Sequence, residues 1–284
     1  MNVRVGPVVF AVVGADYAFD DDFNALRRFV VDEPADATVF VSAGSVDNTE
    51  WRQSLLVDFS LDPGSRLLGV RKTEWDATFD LERAQVTARL PGPWTRAVDS
   101  LLATAVQVFT LTTGRGLLFH GSCVARDGGA YLFTGRSGAG KTTAAYLSRE
   151  RGAEILAEEM TAVTHGRDAS DVAVSGPQSA SPAVWTLPLW QKDGTRARPA
   201  SLPLRGVFVL EQAEADAVEP LARAEATKAL LRRVTLGVRI PLLMDLAAEA
   251  VARTVARTPV YRLRFTRSPA FWDEIDRALS GSSR

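Results

Sequence analysis

Short apolar runs separated by turn residues dominate the first third of the sequence. Val8–Val13 and Thr38–Val41 are apolar or β-branched, and the apolar residues of 74–81 alternate with polar neighbours, as on a half-buried sheet. The pattern predicts strands at residues 8–13, 38–41, 67–70, 74–81 and 84–90. The Pro- and Gly-rich segment Leu90–Pro93 is a strong break. We therefore predict a smaller β-rich α+β domain over residues 1–93 and a second domain over residues 94–284.

Helices and strands alternate in the second domain. Residues 94–111 carry apolar side chains three and four positions apart, which predicts a helix. A hairpin follows, with strands at 117–124 and 130–134 around the turn at 126–129. Further strands are predicted at 154–156, 204–211 and 260–265, and further helices at 141–151, 220–234, 241–255 and 269–279. A Pro-rich loop is predicted after Ala183. The order of elements predicts an α/β domain with a mixed sheet and flanking helices.

A glycine-rich loop joins the second hairpin strand to the helix that starts near Lys141. It matches the G-x-x-x-x-G-K-[ST] pattern over eight consecutive residues, Gly135, Arg136, Ser137, Gly138, Ala139, Gly140, Lys141 and Thr142. Glycines let backbone N–H groups turn toward phosphate oxygens, and the helix N-terminus adds positive potential. Lys141 would reach the β- and γ-phosphates, and Thr142 would ligate Mg²⁺. The motif predicts a P-loop that binds ATP.

Two carboxylates, Glu158 and Glu159, come soon after this loop, just beyond the apolar pair Ile155-Leu156. One could accept a proton from a substrate hydroxyl while the other holds Mg²⁺. Adjacent side chains on a strand face opposite ways, so both would reach one site only if the strand is locally distorted. The alternative is a solvated acidic pair at a strand end.

Other candidate residues have plainer explanations. His120, on the strand paired with the one that feeds the loop, could relay a proton or be a satisfied, partly buried histidine. Arg136 could support the transferring group or face solvent. We expect Cys123 to be a buried thiol and His165 to be a surface residue. We expect Trp185, Trp190 and Trp272 to pack in the interior, although Trp185 and Trp190 could instead line a substrate groove. We expect a buried apolar helix face formed by Leu230, Leu231 and Val234. The arginines around that face could be a solvated basic surface or could meet an anionic substrate: Arg232, Arg233 and Arg239.

Residues from about Ala97 onward resemble the C-terminal catalytic domain of HPr kinase/phosphorylase and the HPr-kinase-related proteins. The resemblance lies in Leu118–Gly121, the Gly135–Thr142 loop, Arg151–Ala153 and Leu156–Glu159, and continues weakly through Pro203–Glu211 and Pro259–Phe265. It implies a P-loop kinase domain of the HPr kinase type, with a nucleotide-binding core like that of phosphoenolpyruvate carboxykinases. Residues 1–95 resemble no family that we can name.

The resemblance also implies roles for individual residues. Lys141 and Thr142 would handle the β-phosphate and Mg²⁺, Glu158 would be the catalytic base, Glu159 the metal-proximal acid, and His120 a histidine near the reacting phosphate. The sequence departs from the family at three points. The family has Asp-Asp where this chain has Glu158-Glu159, and it often has an acid where this chain has Thr143. The loop that helps to bind HPr is not found, so HPr is not the expected substrate.

Composition sets the outer limits. No apolar run approaches the roughly 18 residues of a membrane span, and we expect no signal peptide. One cysteine and two histidines exclude a disulfide framework and a multi-histidine metal centre. Residues 1–95 hold 9 basic and 15 acidic side chains and the remainder 24 and 19, too weak a bias for nucleic acid. We expect a cytoplasmic protein that binds neither nucleic acid nor membranes.

These features together predict an Mg-ATP-dependent kinase that phosphorylates a hydroxyl, most simply a serine or threonine of a small protein or peptide. Two alternatives stay open. The chain could be a nucleotide-responsive binding module with little or no catalysis, or a kinase of small molecules. The resemblance implies that homo-oligomers are possible.

Overall fold

The computed structural model describes residues 1–14, 28–43, 58–62, 64–72, 75–90, 95–165, 182–189 and 200–281. Trp190, for which the sequence predicts a role, lies outside these ranges. The chain forms two compact units. The first comprises residues 1–114 and 236–246, and the second comprises residues 115–235 and 247–284. The described chain is mixed α/β, with one mixed sheet in each unit.

The sheet of the first unit contains seven described strands. They are β1 (Asn2–Val5), β2 (Val8–Gly14), β3 (Ala37–Ala43), β4 (Asp58–Asp62), β5 (Leu67–Arg71), β6 (Asp76–Asp80) and β7 (Gln85–Leu90). Their order is β1-β2-β3-β7-β6-β5-β4, with parallel pairing only where β3 meets β2 and β7. Strands β5, β6 and β7 alternate buried and exposed residues, so one face packs inward, as their sequence pattern predicts. Strands β1 and β4 were not predicted.

Helix α1 (Thr95–Thr112) belongs to the first unit and follows its last strand. The periodic apolar residues that predict this helix are buried: Val98, Leu101, Leu102, Ala105 and Phe109. Phe109 packs against Phe10 and Phe79, with ring centroids 6.1 and 6.4 Å apart. The helical stripe therefore supplies core side chains to the sheet of its own unit.

The second unit is built on eight described strands. They are β8 (Gly116–Arg126), β9 (Gly129–Thr134), β10 (Glu154–Ala157), β11 (Met160–Thr164), β12 (Ala183–Trp185), β13 (Ser201–Gln212), β14 (Ala217–Pro220) and β15 (Val260–Phe265). The predicted hairpin is confirmed, since β8 and β9 pair in antiparallel. Trp185 lies in a short strand between β11 and β13, where the sequence predicted a loop. Three residues are too few to show a strand pattern.

Three parallel strands of this sheet have their carboxyl ends at the same edge. Strand β9 pairs in parallel with β13, and β13 pairs in parallel with β15. All six residues of β9 are buried, as expected for a strand covered on both faces. Parallel strands end at the same edge, so the loop after β9 lies beside Gln212, which ends β13, and Phe265, which ends β15.

Four helices complete the described structure: α2 (Lys141–Ser148), α3 (Arg223–Leu231), α4 (Pro241–Arg257) and α5 (Phe271–Gly281). Residues 149–151 form a 3-10 turn that ends at Gly152. The prediction of a helix from Pro220 is wrong at its start, because Pro220 ends β14 and α3 begins at Arg223. Strand β14 is the last in the sheet order, a position in which a proline costs little pairing. Leu231, predicted to be core, is 41% exposed.

Helix α5 packs on the sheet through aromatic side chains. Phe133, Phe271 and Trp272 are fully buried. The Phe133 ring meets the other two edge to face, and the rings of Phe271 and Trp272 are stacked. Trp272 Nε1 donates to Ser148 Oγ at 2.9 Å. Arg126 lies over the Trp272 ring at 4.5 Å and binds both Asp276 carboxylate oxygens. The predicted packing role of Trp272 is confirmed, and it ties α5 to the strand that feeds the glycine-rich loop.

Candidate functional site

The glycine-rich loop, residues 135–142, runs from the end of β9 into α2. Gly138 and Gly140 have φ values of 76° and 96°, a backbone region that favours glycine. A Cβ on Gly140 would lie 2.7 Å from Phe265 Cζ, so a side chain is excluded there by contact as well as by backbone geometry. The two glycines therefore serve different needs, because a Cβ on Gly138 would meet nothing within 4 Å.

Lys141, the first residue of α2, turns back over this loop. Its Nζ donates hydrogen bonds to the carbonyl oxygens of Gly135 at 3.3 Å and Arg136 at 3.1 Å. Burial lowers the pKa of Lys141, the positive charge of Arg233 lowers it further, and the negative charge of Glu159 acts against both. The ammonium group is thus held inside the loop, at the position from which a lysine reaches phosphate oxygens in loops of this sequence.

The neighbouring strand end also holds the loop. Gln212 Nε2 donates to the carbonyl oxygen of Gly138 at 2.8 Å. The Phe265 ring packs where Gly140 has no side chain. Gln212 ends β13, which is parallel to β9, and Phe265 ends β15, which is parallel to β13. The shape of the loop therefore depends on segments far away in the sequence.

Glu158 and Glu159 occupy a bend between β10 and β11, where the strand alternation is interrupted. The Glu158 carbonyl accepts a hydrogen bond from Ser122 Oγ at 2.9 Å, and the Glu159 carbonyl accepts one from the Gly121 N–H at 3.1 Å. Glu158 is only 4% exposed. This bend is the local distortion that both side chains need in order to face one cleft, and both line it.

His120 lies beside the second carboxylate. Its ring Nδ1 is 3.1 Å from the Glu159 carbonyl oxygen and 3.8 Å from Glu159 Oε2, and its side chain is 45% exposed. The His120 N–H donates to the carbonyl oxygen of Arg233 at 2.8 Å. His120 is therefore a half-exposed histidine between an acidic side chain and the turn that follows α3.

These groups line one cleft of about 520 Å³. Nine of its lining residues were singled out from the sequence: His120, Ser137, Gly138, Gly140, Lys141, Thr142, Thr143, Glu158 and Glu159. The other three predicted loop residues, Gly135, Arg136 and Ala139, are not among the lining residues. A Cβ on the buried Gly135 would lie 2.9 Å from Ala139 Cβ, and Arg136 is exposed. The arrangement joins a glycine-rich loop, a cation, a hydroxyl and two carboxylates.

Sequence reasoning missed five lining residues, namely Gln212, Ala213, Phe265, Thr266 and Arg267. All of them lie at or just beyond the carboxyl ends of β13 and β15. The signal that could have found them is the prediction of strands at 204–211 and 260–265. Strands parallel to the one that feeds the loop end at its edge of the sheet.

Two other candidates lie apart from this lining. Cys123 is fully buried, as expected, and burial raises the pKa of its thiol. The prediction that His165 is a surface residue is wrong, because this residue is only 7% exposed. Its Nε2 is 2.8 Å from Thr254 Oγ1 on α4, a residue too distant in sequence to be seen in the turn pattern around His165. Burial, followed by Arg253 and Arg257, lowers the pKa of His165 to about 4.

Residues 94–280 match the family described as SynChlorMet cassette protein ScmC. The chain belongs to the ScmC family. No curated protein has a sequence that matches it. The ScmC match begins at the start of α1 and ends within α5, so it includes every residue of the cleft.

In the described ranges, no group of three or more His, Cys, Asp and Glu side chains converges as a cage for a metal ion. None of the described helices is both long and apolar enough to cross a bilayer.

Proposed function

We propose that this ScmC-family chain is an Mg-ATP-dependent kinase that transfers the γ-phosphate to a hydroxyl group, most simply that of a serine or threonine in a small protein or peptide. One observation carries the proposal: Lys141, Thr142, Glu158, Glu159 and His120 line a single cleft around the glycine-rich loop. Phosphoryl transfer needs few covalent steps from the protein and depends on positioning and charge. A cleft that combines a phosphate cradle with carboxylates supplies both.

In the proposed reaction, the loop N–H groups and Lys141 bind the β- and γ-phosphates of ATP. Glu158 accepts the proton of the acceptor hydroxyl as its oxygen attacks the γ-phosphorus, and ADP leaves. His120, beside Glu159, lies near the transferring group. The buried carboxylate of Glu158 suits a base that must be held in place rather than solvated.

The donor set of the cleft fits Mg²⁺. This ion prefers oxygen ligands, keeps several of its waters, and binds proteins through one or two side chains plus substrate phosphates. The Thr142 hydroxyl and the Glu159 carboxylate are such ligands, and both line the cleft. A site of two side chains also agrees with the finding that no larger cage of acidic residues converges in the described ranges. When bound, Mg²⁺ supplies charge neutralisation at the phosphates.

The fold supports a closer assignment, to the P-loop kinase domain of HPr kinase/phosphorylase. The hairpin before the loop, the helix after it and the carboxylates on the first strand back follow the order of the residues that carry this resemblance. Glu158 and Glu159 replace the aspartates of that family, and each is one methylene longer. We propose that the bend between β10 and β11 accommodates the added length. A cytoplasmic location suits an enzyme that uses ATP.

The first test is Mg-dependent ATP binding, measured by calorimetry and by thermal unfolding. At an ATP concentration about 100-fold above the dissociation constant, binding stabilises the fold by about 2.7 kcal/mol. We expect binding to wild type and its loss in Lys141→Ala. The matched control is Lys228→Ala, since Lys228 lies exposed on α3 and does not line the cleft. Absence of ATP binding by wild type would contradict the proposal.

The second test is transfer of labelled phosphate from γ-labelled ATP to peptides containing serine or threonine, starting with peptides encoded beside this gene. Transfer that is lost in Glu158→Gln supports the kinase. The longer carboxylates favour one other outcome, ATP binding without transfer to any acceptor. That outcome would identify a nucleotide-responsive binding module. Transfer to free hydroxyl metabolites but not to peptides would identify a small-molecule kinase.

A further inference from the structure

We propose that Arg233 is a phosphate-binding residue that contacts the terminal phosphate of the bound nucleotide from outside the glycine-rich loop. The inference rests on the proposed function, because it assigns a further contact to the same ATP. It adds a specificity element that distinguishes ATP from ADP. Nothing in the glycine-rich sequence pattern points to this residue, which follows α3 some ninety positions later.

The backbone around Arg233 is fixed against the strand that carries His120. The Arg233 carbonyl accepts a hydrogen bond from the His120 N–H at 2.8 Å, and the Thr235 N–H donates to the Leu118 carbonyl at 2.9 Å. Between them, Val234 forms a β-bridge with Phe119. Residues 233–235 thus continue the sheet beside β8. This pairing places Arg233 next to a residue that lines the cleft.

Charge is the second observation. Arg233 is close enough to Lys141 to lower the pKa of that lysine. Partial burial lowers the pKa of Arg233 itself, and Arg136 and Arg232 lower it further. Lys141 and Arg136 of the loop and the distant Arg233 therefore bring three positive charges together from two places in the sequence. Across the described ranges, neither Arg136 nor Arg233 forms an ion pair with an acidic side chain.

A cluster of positive charges is unfavourable unless an anion neutralises it. In the proposed complex, the P-loop amides and Lys141 bind the β-phosphate and reach the γ-phosphate from the loop side only. The backbone of Arg233 is bonded to that of His120, which lines the cleft beside Glu159. In the proposed complex, the reacting end of the nucleotide belongs at this side of the cleft. A planar guanidinium binds two phosphate oxygens at once and stabilises the charge of a transferring phosphoryl group. The terminal phosphate is therefore the group that Arg233 fits.

The adjacent Arg232 provides a contrast. The sequence predicted a solvated basic face for both arginines, and Arg232 is exposed as expected. Arg233 is only partly exposed, and its backbone is bound to the strand of His120. Loss of either side chain removes one positive charge from the same turn, so Arg232→Ala controls for the general electrostatic effect.

The test is calorimetric titration of the full chain with Mg-ATP and Mg-ADP. We expect Arg233→Ala to weaken ATP binding about tenfold or more and ADP binding less than threefold, whereas Arg232→Ala changes both less than threefold. Arg233→Lys should restore part of the ATP preference, because it keeps the charge and loses the fork. The fold of each variant is checked by thermal unfolding without nucleotide. The hydrogen bonds of residue 233 are made by its backbone, so alanine preserves them.

Two failures are distinguishable. If wild type binds neither nucleotide, the proposed function fails, and the role of Arg233 fails with it. If wild type binds ATP but Arg233→Ala weakens ATP and ADP equally, or Arg232→Ala has the same effect, the kinase proposal stands and the assignment of Arg233 is wrong. Should the alanine variant not fold, the ATP and ADP titrations of Arg233→Lys decide between these results, since an unchanged ATP preference would overturn the assignment.

Discussion

The Tyr146 hydroxyl forms a hydrogen bond with the Glu158 side chain, and this bond to a negative charge raises the pKa of Tyr146. Tyr146 lies on α2, the helix that Lys141 begins. One helix therefore places both the lysine proposed to bind phosphate and a hydrogen-bond donor to the proposed base. Tyr146 is 42% exposed, so its removal should disturb the core little.

We expect Tyr146→Phe to lower the rate of phosphoryl transfer about fivefold while leaving the affinity for ATP unchanged, because the hydroxyl positions Glu158 and not the nucleotide. The measurement is steady-state transfer from labelled ATP, together with ATP titration. In a double-mutant cycle, Tyr146→Phe should have no further effect on Glu158→Gln if the tyrosine acts through the glutamate. Additive effects of the two substitutions would contradict this role.

Gly140→Ala should destabilise the chain by about 3 kcal/mol, because it adds left-handed backbone strain to a clash with Phe265. Gly138→Ala is the matched control. It adds a Cβ to the same loop at a positive φ but in open space, so it should cost only about 1 kcal/mol. Chemical unfolding of both variants measures the difference. Equal losses would show that contact with Phe265 contributes nothing.

Glu159→Gln should raise the Mg²⁺ concentration needed for half-maximal transfer about tenfold, because an amide is a weaker ligand for this ion than a carboxylate. Glu158→Gln should lower the maximal rate without changing that concentration. Magnesium titrations of transfer by both variants compare the two carboxylates. If their effects were exchanged, the assignment of base and metal ligand would have to be reversed.

His165 should make the fold sensitive to acid. Its pKa is about 4 in the folded chain, below the ordinary value of 6.5, because burial and then Arg253 and Arg257 disfavour its charged form. The unfolded chain therefore binds a proton that the folded chain does not. The resulting stability is present above pH 6.5 and is lost as the pH falls toward 4, about 3 kcal/mol in all.

Unfolding free energies at pH 7 and pH 4.5 test this dependence. We expect the difference between the two pH values to shrink in His165→Gln, which keeps a polar group near Thr254 and cannot titrate. His120→Gln removes the other histidine of the chain and should retain the His165 contribution. An unchanged pH dependence in His165→Gln would contradict the prediction.

Sequence patterns located the parts of the site that are local in the chain. The hairpin of β8 and β9, the start of α2 at Lys141 and the carboxylates before β11 all follow from residues within a few positions of each other. The rest depends on pairing between distant segments. Gln212 and Phe265 reach the loop because β13 and β15 run parallel, and a single sequence does not specify which strands become neighbours.

The errors have the same origin. His165 is in a turn-like sequence, but its ring is hydrogen-bonded to Thr254 on α4 and is buried. Pro220 resembles a helix start, but β15 pairs with the segment that contains it. In both cases a tertiary contact overrode a sound local preference.

The contact between Gly140 and Phe265 also has a consequence for synthesis. A ribosome releases the glycine-rich loop long before the strand that supports it, since β13 and β15 come much later in the chain. A nascent chain that ends within β13 holds the whole loop sequence but lacks the aromatic ring on which Gly140 rests. If the chain binds ATP as proposed, the nucleotide would stabilise the protein only near the end of translation, and a product truncated before Val260 would gain nothing from cellular ATP.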